Sequence, residues 1–514
     1  MLWLAFLCTT TLVFWGLWKG YFQQDEWSGF GKVIYAQKYG LTSLVGTFGS
    51  HFTPLTVSTM YLMFKAFSLN HFGYAAFSLL FHSINGLLVY FLALSLLRNT
   101  KFALLSSIFF LSAYTPHQAV SWYAASMSFL PSGFFALVSL ILYERFLNTS
   151  GKKLLLFSLA SVLIAAGFRE NAIFLLGFFP IRAFILEHKF RKTVFWYSLT
   201  AAAFYLTLRF GTRLIHLVSP EATENRIKLV EIPQQALRFI FIYLPHLFVP
   251  EPFLRMLELI GQFFLGSRVQ FIYKTFYTNI FYIATSTAIT ILLTLLRKPL
   301  TLNLAAFLLL SVLPFSFLPV PLIMESRHFY LSSIGASILL GYIVMILIKK
   351  TFWKLATIAF CLVFILFNIS LVQKDLIKLR TVSAIRINTI GQLIATYPRL
   401  PERVIFLAQG STLPFQSGPG QTMMVAFHVN QKSDYTELFK TRFLYGIDEQ
   451  GYREEGQTGF GFYTDYSLAL SEYCKQGLKP DNFFSFAWSD VTREITDTSE
   501  VIRGELICPK DRSL

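Results

Sequence analysis

Long apolar runs recur along the chain, separated by short polar connections, and most approach the roughly 20 apolar residues that one helical crossing of a bilayer requires. The runs at 1–19, 73–97, 101–115, 124–146, 153–168, 171–187, 193–210, 275–296, 300–320, 328–348 and 353–373 predict a polytopic α-helical membrane protein with about eleven transmembrane helices. Two of them, 101–115 and 153–168, are short, which predicts helices that tilt little or hide their ends against neighbours. Residues 1–19 lack a basic leading segment and a small-residue cleavage site, so they read as a retained first span and not as a removed signal peptide. The apolar stretches 43–68 and 234–266 are broken by Pro54, Pro233, Pro245, Pro250 and Pro252 and carry scattered charges, which predicts helices lying in the interface as a roof. After residue 373 the pattern turns polar: 376–397 is amphipathic, and 404–407, 442–445 and 483–488 read as strands. The expected organisation is a transmembrane domain over 1–373, with outer loops 20–72 and 211–274, followed by a small extracytoplasmic α+β domain over 374–514.

Composition agrees with this pattern. The 514 residues are 54% hydrophobic and 14% charged, with a mean hydropathy of +0.54, against roughly 25% charged residues in soluble domains. Phenylalanine occurs 56 times, which suits lipid-facing helices with aromatic belts better than a barrel of alternating strands. The net charge of +16 does not indicate nucleic acid as a partner, because the basic residues fall in short clusters and form no stripe interleaved with stacking aromatics. Five such clusters, at 98–101, 145–153, 188–192, 297–298 and 349–354, share one side if the N-terminus is cytoplasmic. This predicts a multi-pass plasma-membrane protein whose large loops and tail are extracytoplasmic. Of four cysteines, Cys8 and Cys361 read as small buried apolar residues within spans. Cys474 and Cys508 lie in the tail, where a disulfide is open to them if the tail is outside.

Ionisable groups inside a bilayer are costly, so their depth is informative. Almost none is expected mid-span: Arg169, Glu170, Arg209, Arg213, Glu325, Arg327 and His328 gather at outer helix ends, with Asp25, Glu26, His51 and His117 in outer loops. A proton-coupled transporter would place carboxylates near the midplane instead. Asp25 and Glu26 are either a solvated turn or a general base with a companion carboxylate. The run Glu325-Ser326-Arg327-His328 is either an ordinary helix start or a phosphate site, the latter matching guanidinium forks to phosphate oxygens. Arg169 and Glu170 form either an internal ion pair or a second polar contact to substrate. His51 with Pro54 reads as a proline-shaped loop or as part of the cavity, and His117, ahead of Gln118 and Trp122, as a residue of that cavity. His82 and Asn85 read first as a helix-to-helix hydrogen bond. No two histidines have metal-ligand spacing, so no metal and no other cofactor is predicted, and a divalent ion bridging carboxylate and phosphate has no support.

The order of these features resembles a family. One span, an acidic pair, His51-x-x-Pro54-Leu55, Phe81-His82-x-x-Asn85-x-Leu87-Leu88-Val89-Tyr90, a Trp122 turn, the Arg169-Glu170 hairpin and Glu325-x-Arg327-x-x-Tyr330-Leu331-x-Ser333-x-Gly335 are similar to the GT-C superfamily of membrane glycosyltransferases. Within it the resemblance is to bacterial protein-mannosyltransferase-like enzymes and to transmembrane O-mannosyltransferases with TPR repeats. It implies transfer of a sugar from a polyprenyl-phosphate donor to an acceptor hydroxyl outside the membrane, with inversion at the anomeric carbon. It also implies Asp25 as base with Glu26 as companion, Arg327, Arg169 and Glu325 at the donor phosphate, and His51, His117, Trp122 and Glu170 around the cavity. Three departures bear on this: a small residue near Ser126 replaces a basic one, the hairpin has Arg for Lys, and the tail lacks TPR-like repeats. The expected partners are a polyprenyl-phosphate-linked sugar, membrane lipid, and a protein, polysaccharide or glycolipid acceptor. The competing expectation is a lipid-linked glycan transporter or flippase that uses the same cavity without transfer chemistry.

Overall fold

The computed structural model describes residues 1–23, 25–40, 52–187, 191–214, 237–266, 270–273, 276–296, 298–317, 325–410, 419–440, 443–448, 451–456 and 460–508. The chain forms two compact units, the first of Met1–Trp15, Gly46–Thr56 and Ala75–Leu376, the second of Gly16–Val45, Val57–Tyr74 and Ile377–Leu514.

The helices in chain order are α1 (Leu2–Val13), α2 (Asp25–Tyr39), α3 (Pro54–Phe67), α4 (His71–Leu97), α5 (Thr100–Ser112), α6 (Gln118–Ser121), α7 (Tyr123–Thr149), α8 (Lys152–Phe168), α9 (Phe174–Glu187), α10 (Lys192–Leu214), α11 (Glu251–Leu265), α12 (Ile280–Leu296), α13 (Pro299–Val312), α14 (Tyr330–Leu347) and α15 (Thr351–Thr396). Three shorter helices, α16 (Pro419–Val429), α17 (Tyr466–Lys475) and α18 (Ser499–Gly504), belong to the tail. Among the described residues, α4, α7, α15 and the continuous segment Ser326–Leu347 are long and apolar enough to cross a membrane, and four shorter apolar helices accompany them. The protein is therefore a multi-pass, mainly helical membrane protein with a small C-terminal sheet.

Within the first unit, helices approach through small and hydroxylated residues, as lipid-embedded bundles do. Ser139 and Ser158 bond each other's carbonyls across α7 and α8 at 2.7 and 2.9 Å. A Cβ on Gly341 of α14 would stand 2.0 Å from the Ser106 hydroxyl of α5, so that crossing is closed to larger residues. Helix α11 exposes Met256, Leu259, Ile260, Phe263 and Phe264, an apolar face that suits the expected interfacial position.

The first unit holds an antiparallel pair, β1 (Gln270–Tyr273) and β2 (Phe276–Asn279). In the second unit a six-stranded sheet runs in the order β4-β5-β6-β3-β7-β8, with β3 (Val404–Gly410), β4 (Phe443–Asp448), β5 (Gly451–Gly456), β6 (Phe460–Tyr463), β7 (Phe483–Trp488) and β8 (Ile495–Asp497). Strand β3 is parallel to both neighbours, with Ile405 opposite Gly461 and Phe483, and its first five residues are buried. A central strand covered on both faces carries such an unbroken apolar run. Cys474 and Cys508 form a disulfide with their Cα atoms 5.6 Å apart.

The amphipathic stretch 376–397 continues α15, which runs unbroken through Thr396 because no proline interrupts it before Pro398. Three expectations are corrected. The run beginning at 275 starts as strand, Phe276–Asn279, and becomes helix only at Ile280, where the Asn279 side chain accepts from the Phe281 and Tyr282 amides at 3.0 and 3.1 Å. The acidic pair lies not in an irregular loop but in the first turn of α2. Cys8 is exposed, unlike buried Cys361, since facing lipid costs a small apolar group nothing.

Candidate active site

In the first unit the motif residues converge on the short segment 325–330. Helix α4 supplies His82 and Asn85, both buried. The Tyr330 hydroxyl lies 3.0 Å from His82 Nδ1 and accepts from Asn85 Nδ2 at 2.9 Å, while Asn85 also donates to the Leu130 carbonyl of α7 at 2.9 Å. The helix-to-helix role expected of His82 and Asn85 is therefore what the geometry gives, and it fixes the start of α14. Gly133 of α7 makes room for this, because a Cβ there would meet the Tyr330 ring at 2.6 Å.

The turn immediately before Tyr330 is a 3-10 segment, Ser326–Phe329. The Ser326 hydroxyl donates to the Thr115 carbonyl at 2.6 Å and accepts from the Gln118 amide at 3.4 Å, joining the turn to the α5–α6 connection. Arg327 lies over the Trp122 ring at 4.4 Å and pairs with Glu325. This holds its guanidinium over an aromatic face.

Arg169, in the bend after α8, donates to His328 Nε2 at 3.1 Å and lies over Phe129 at 4.7 Å. Its neighbour Glu170 pairs with Arg209 of α10 at 3.3 Å and accepts from the Phe52 amide. Two of the residues reasoned from sequence thus engage different partners, Arg169 the 326–329 turn and Glu170 the α10 helix. His117 also reaches this turn, its Nδ1 standing 3.3 Å from the Ser326 hydroxyl.

Sequence reasoning missed Asp375. Its carboxylate accepts from the Tyr114 hydroxyl at 2.8 Å and lies 3.3 Å from His117 Nε2, while His117 Nδ1 stands 2.8 Å from the Tyr114 carbonyl. Burial pushes the His117 imidazole down, opposed by the Tyr114 carbonyl and the Asp375 charge. The signal was a lone acid just beyond the apolar run 353–373. A second missed feature is the bidentate pair of buried Arg182 on α9 and partly buried Glu144 on α7. It qualifies the expectation that spans carry almost no charge. The two groups satisfy each other, as a buried pair must.

Asp25 and Glu26 belong to the second unit. There Asp25 is exposed and Glu26 fully buried, although they are adjacent in the first turn of α2. Glu26 Oε2 accepts from the Gln23 amide at 3.2 Å, and a carboxylate in a first turn complements the helix dipole. Behind them Phe22, Trp27, Phe30, Phe64 and Tyr74 pack with ring centroids 4.9 to 6.1 Å apart. His51 lies outside the described residues. Among the described residues no cluster of His, Cys, Asp and Glu has the makings of a metal site.

No protein-family model matches the chain, and no curated protein sequence does. Among solved structures, the chain is similar to the apo oligosaccharyltransferase of Archaeoglobus fulgidus, with a TM-score of 0.45 and 10% identity over 83% of this chain and 63% of that one. It is similar to the archaeal oligosaccharyltransferase AglB from Archaeoglobus fulgidus in complex with an inhibitory peptide and a dolichol-phosphate, with a TM-score of 0.40 and 12% identity over 83% of this chain and 63% of that one. It is also similar to ArnT from Cupriavidus metallidurans bound to undecaprenyl phosphate, at 0.33 and 12% over 84% and 88%. The chain thus spans 63% of the length of the first two. These likenesses are distant.

Proposed function

We propose that the protein is an inverting glycosyltransferase that moves a sugar from a polyprenyl-phosphate donor to an acceptor hydroxyl at the extracytoplasmic face of the plasma membrane. The observation that carries the reading is the convergence of two guanidinium groups on one turn: Arg327 on Trp122 and Arg169 on His328. Cations held at helix ends suit a lipid phosphate at headgroup depth, where they stabilise the charge that develops as the phosphate leaves. Asp25, exposed beside a buried and tethered companion, suits a base. It takes the acceptor proton as the acceptor oxygen attacks the anomeric carbon from the face opposite the phosphate, and the bond to phosphate breaks with inversion. Glu325, Glu170, His117, Trp122 and His51 shape the cavity in this reading, and the tail, 374–514, recognises the acceptor.

The test is sugar release in detergent from radiolabelled polyprenyl-phosphate hexoses, with isolated cell envelope as acceptor. Turnover without a two-sided membrane speaks against a purely transporting protein. Asp25→Asn is expected to abolish turnover with expression and melting temperature nearly unchanged, and undiminished turnover of the variant removes Asp25 from catalysis. Arg327→Ala is expected to raise the donor KM by about tenfold, and an unchanged donor affinity removes it from the phosphate site.

A further inference from the structure

We infer that Arg386, on the polar continuation of α15, positions the acidic pair through the backbone that precedes it. The inference rests on the base role proposed for Asp25. Residues 20–23, after the short turn Leu17–Lys19, have no regular structure, so their polar backbone groups need partners from elsewhere. One stripe of α15 supplies them. Ser383 Oγ accepts from the Tyr21 amide at 2.8 Å. Arg386, three residues further and on the same helical face, donates to the Phe22 carbonyl at 3.2 Å and the Gln23 carbonyl at 3.4 Å from a single guanidinium nitrogen. One turn before Ser383, Arg380 lies so close to Gly16 (φ +83°) that a Cβ there would stand 2.6 Å from its guanidinium. The anchored carbonyls immediately precede Gln24 and Asp25, and the Gln23 amide is the group that Glu26 accepts from. Arg386 and Glu26 also interact as opposite charges.

The consequence is geometric and electrostatic together. Two bonds fix the approach of the chain to α2, and so the direction in which the exposed Asp25 carboxylate points. The guanidinium charge opposes that of the buried Glu26 carboxyl. Lysine at 386 keeps the charge but loses the planar fork; glutamine keeps a donor and loses the charge. A base set in place this way needs its anchor during transfer, not during donor binding.

The experiment measures the cell-envelope glycan of a strain lacking the gene, complemented at equal membrane level with wild type, Asp25→Asn, Arg386→Gln, Arg386→Lys and Ser383→Ala, then kcat and donor KM of the purified variants. Arg386→Gln is expected to lower kcat about tenfold with donor KM within about twofold and melting temperature unchanged, and Arg386→Lys to recover part of that loss. Ser383→Ala, the variant that still folds should Arg386→Gln fail to, is expected to lower kcat about threefold. Full glycan and full kcat in both Arg386→Gln and Ser383→Ala, with Asp25→Asn inactive, overturn the anchor alone. Retained glycan in Asp25→Asn overturns the base role on which it stands.

Discussion

Asp25 and Glu26 are chemically near-identical neighbours that a quarter-turn of helix sends into opposite surroundings, one exposed and one fully buried. Burial is what separates a carboxylate that can meet a substrate from one that can only organise its neighbour. The same logic applies to Glu454 on β5, which is buried and accepts from the Gly420 and Gln421 amides at 2.8 and 3.1 Å. Burial pushes its carboxyl up to about 7, although those amides and the Tyr452 hydroxyl pull it down. Between the ordinary value of 4.5 and about 7, the folded tail holds a proton that the unfolded chain has released. Stability is therefore fullest below that window and falls as pH rises through it, by at most about 3 kcal/mol. Glu454→Gln, neutral at every pH, is expected to flatten this decline in melting curves of the full chain. A variant whose melting temperature tracks pH in parallel with wild type would remove Glu454 as the source.

At the scale of elements, the decisive device is the network that locks α4, α7 and the start of α14 around one hydroxyl. Tyr330→Phe leaves Asn85 Nδ2 with the Leu130 carbonyl alone and takes from His82 Nδ1 its hydroxyl partner. An unmet buried polar group costs about 1–3 kcal/mol. The variant is expected to melt lower and, because Arg327 sits three residues before Tyr330, to bind polyprenyl phosphate more weakly; equal melting and equal binding would deny the network that role. Each half of this network was legible as a motif, His82-x-x-Asn85 and Arg327-x-x-Tyr330, but a hydrogen bond across 248 residues leaves no local trace. Apolar elements were legible for the same reason that they are buried or lipid-facing: β7 was expected at 483–488 and is Phe483–Trp488. Strand β5, Gly-Tyr-Arg-Glu-Glu-Gly, was not, since its one fully buried side chain is a glutamate. Helix α2 was missed because its apolar positions are interrupted by Gly29 and Gly31, the second of which leaves room for the Phe439 ring. Asp375 escaped because a single acid beyond a span has no pattern to belong to.

For the whole molecule, the reading depends on which face of the membrane each loop meets. Two independent features bear on it. The basic clusters at 98–101, 145–153, 188–192, 297–298 and 349–354 favour the cytoplasmic side for those connections. The Cys474–Cys508 disulfide favours an oxidising compartment for the tail, since cytoplasmic thiols are kept reduced. The two features agree only if the N-terminus is cytoplasmic and α15 carries the chain outward. Single cysteines introduced as Lys152→Cys, at the start of α8, and Val491→Cys, at an almost fully exposed tail position, probe this directly once Cys8 and Cys361 are replaced. A membrane-impermeant maleimide added to intact cells is expected to mark position 491 and to reach position 152 only after permeabilisation. The native pair is expected to stay unalkylated until reduced. The reverse labelling pattern would put the acidic pair and the tail in the cytoplasm, where the disulfide would not persist and a base at Asp25 would have no extracytoplasmic acceptor to serve.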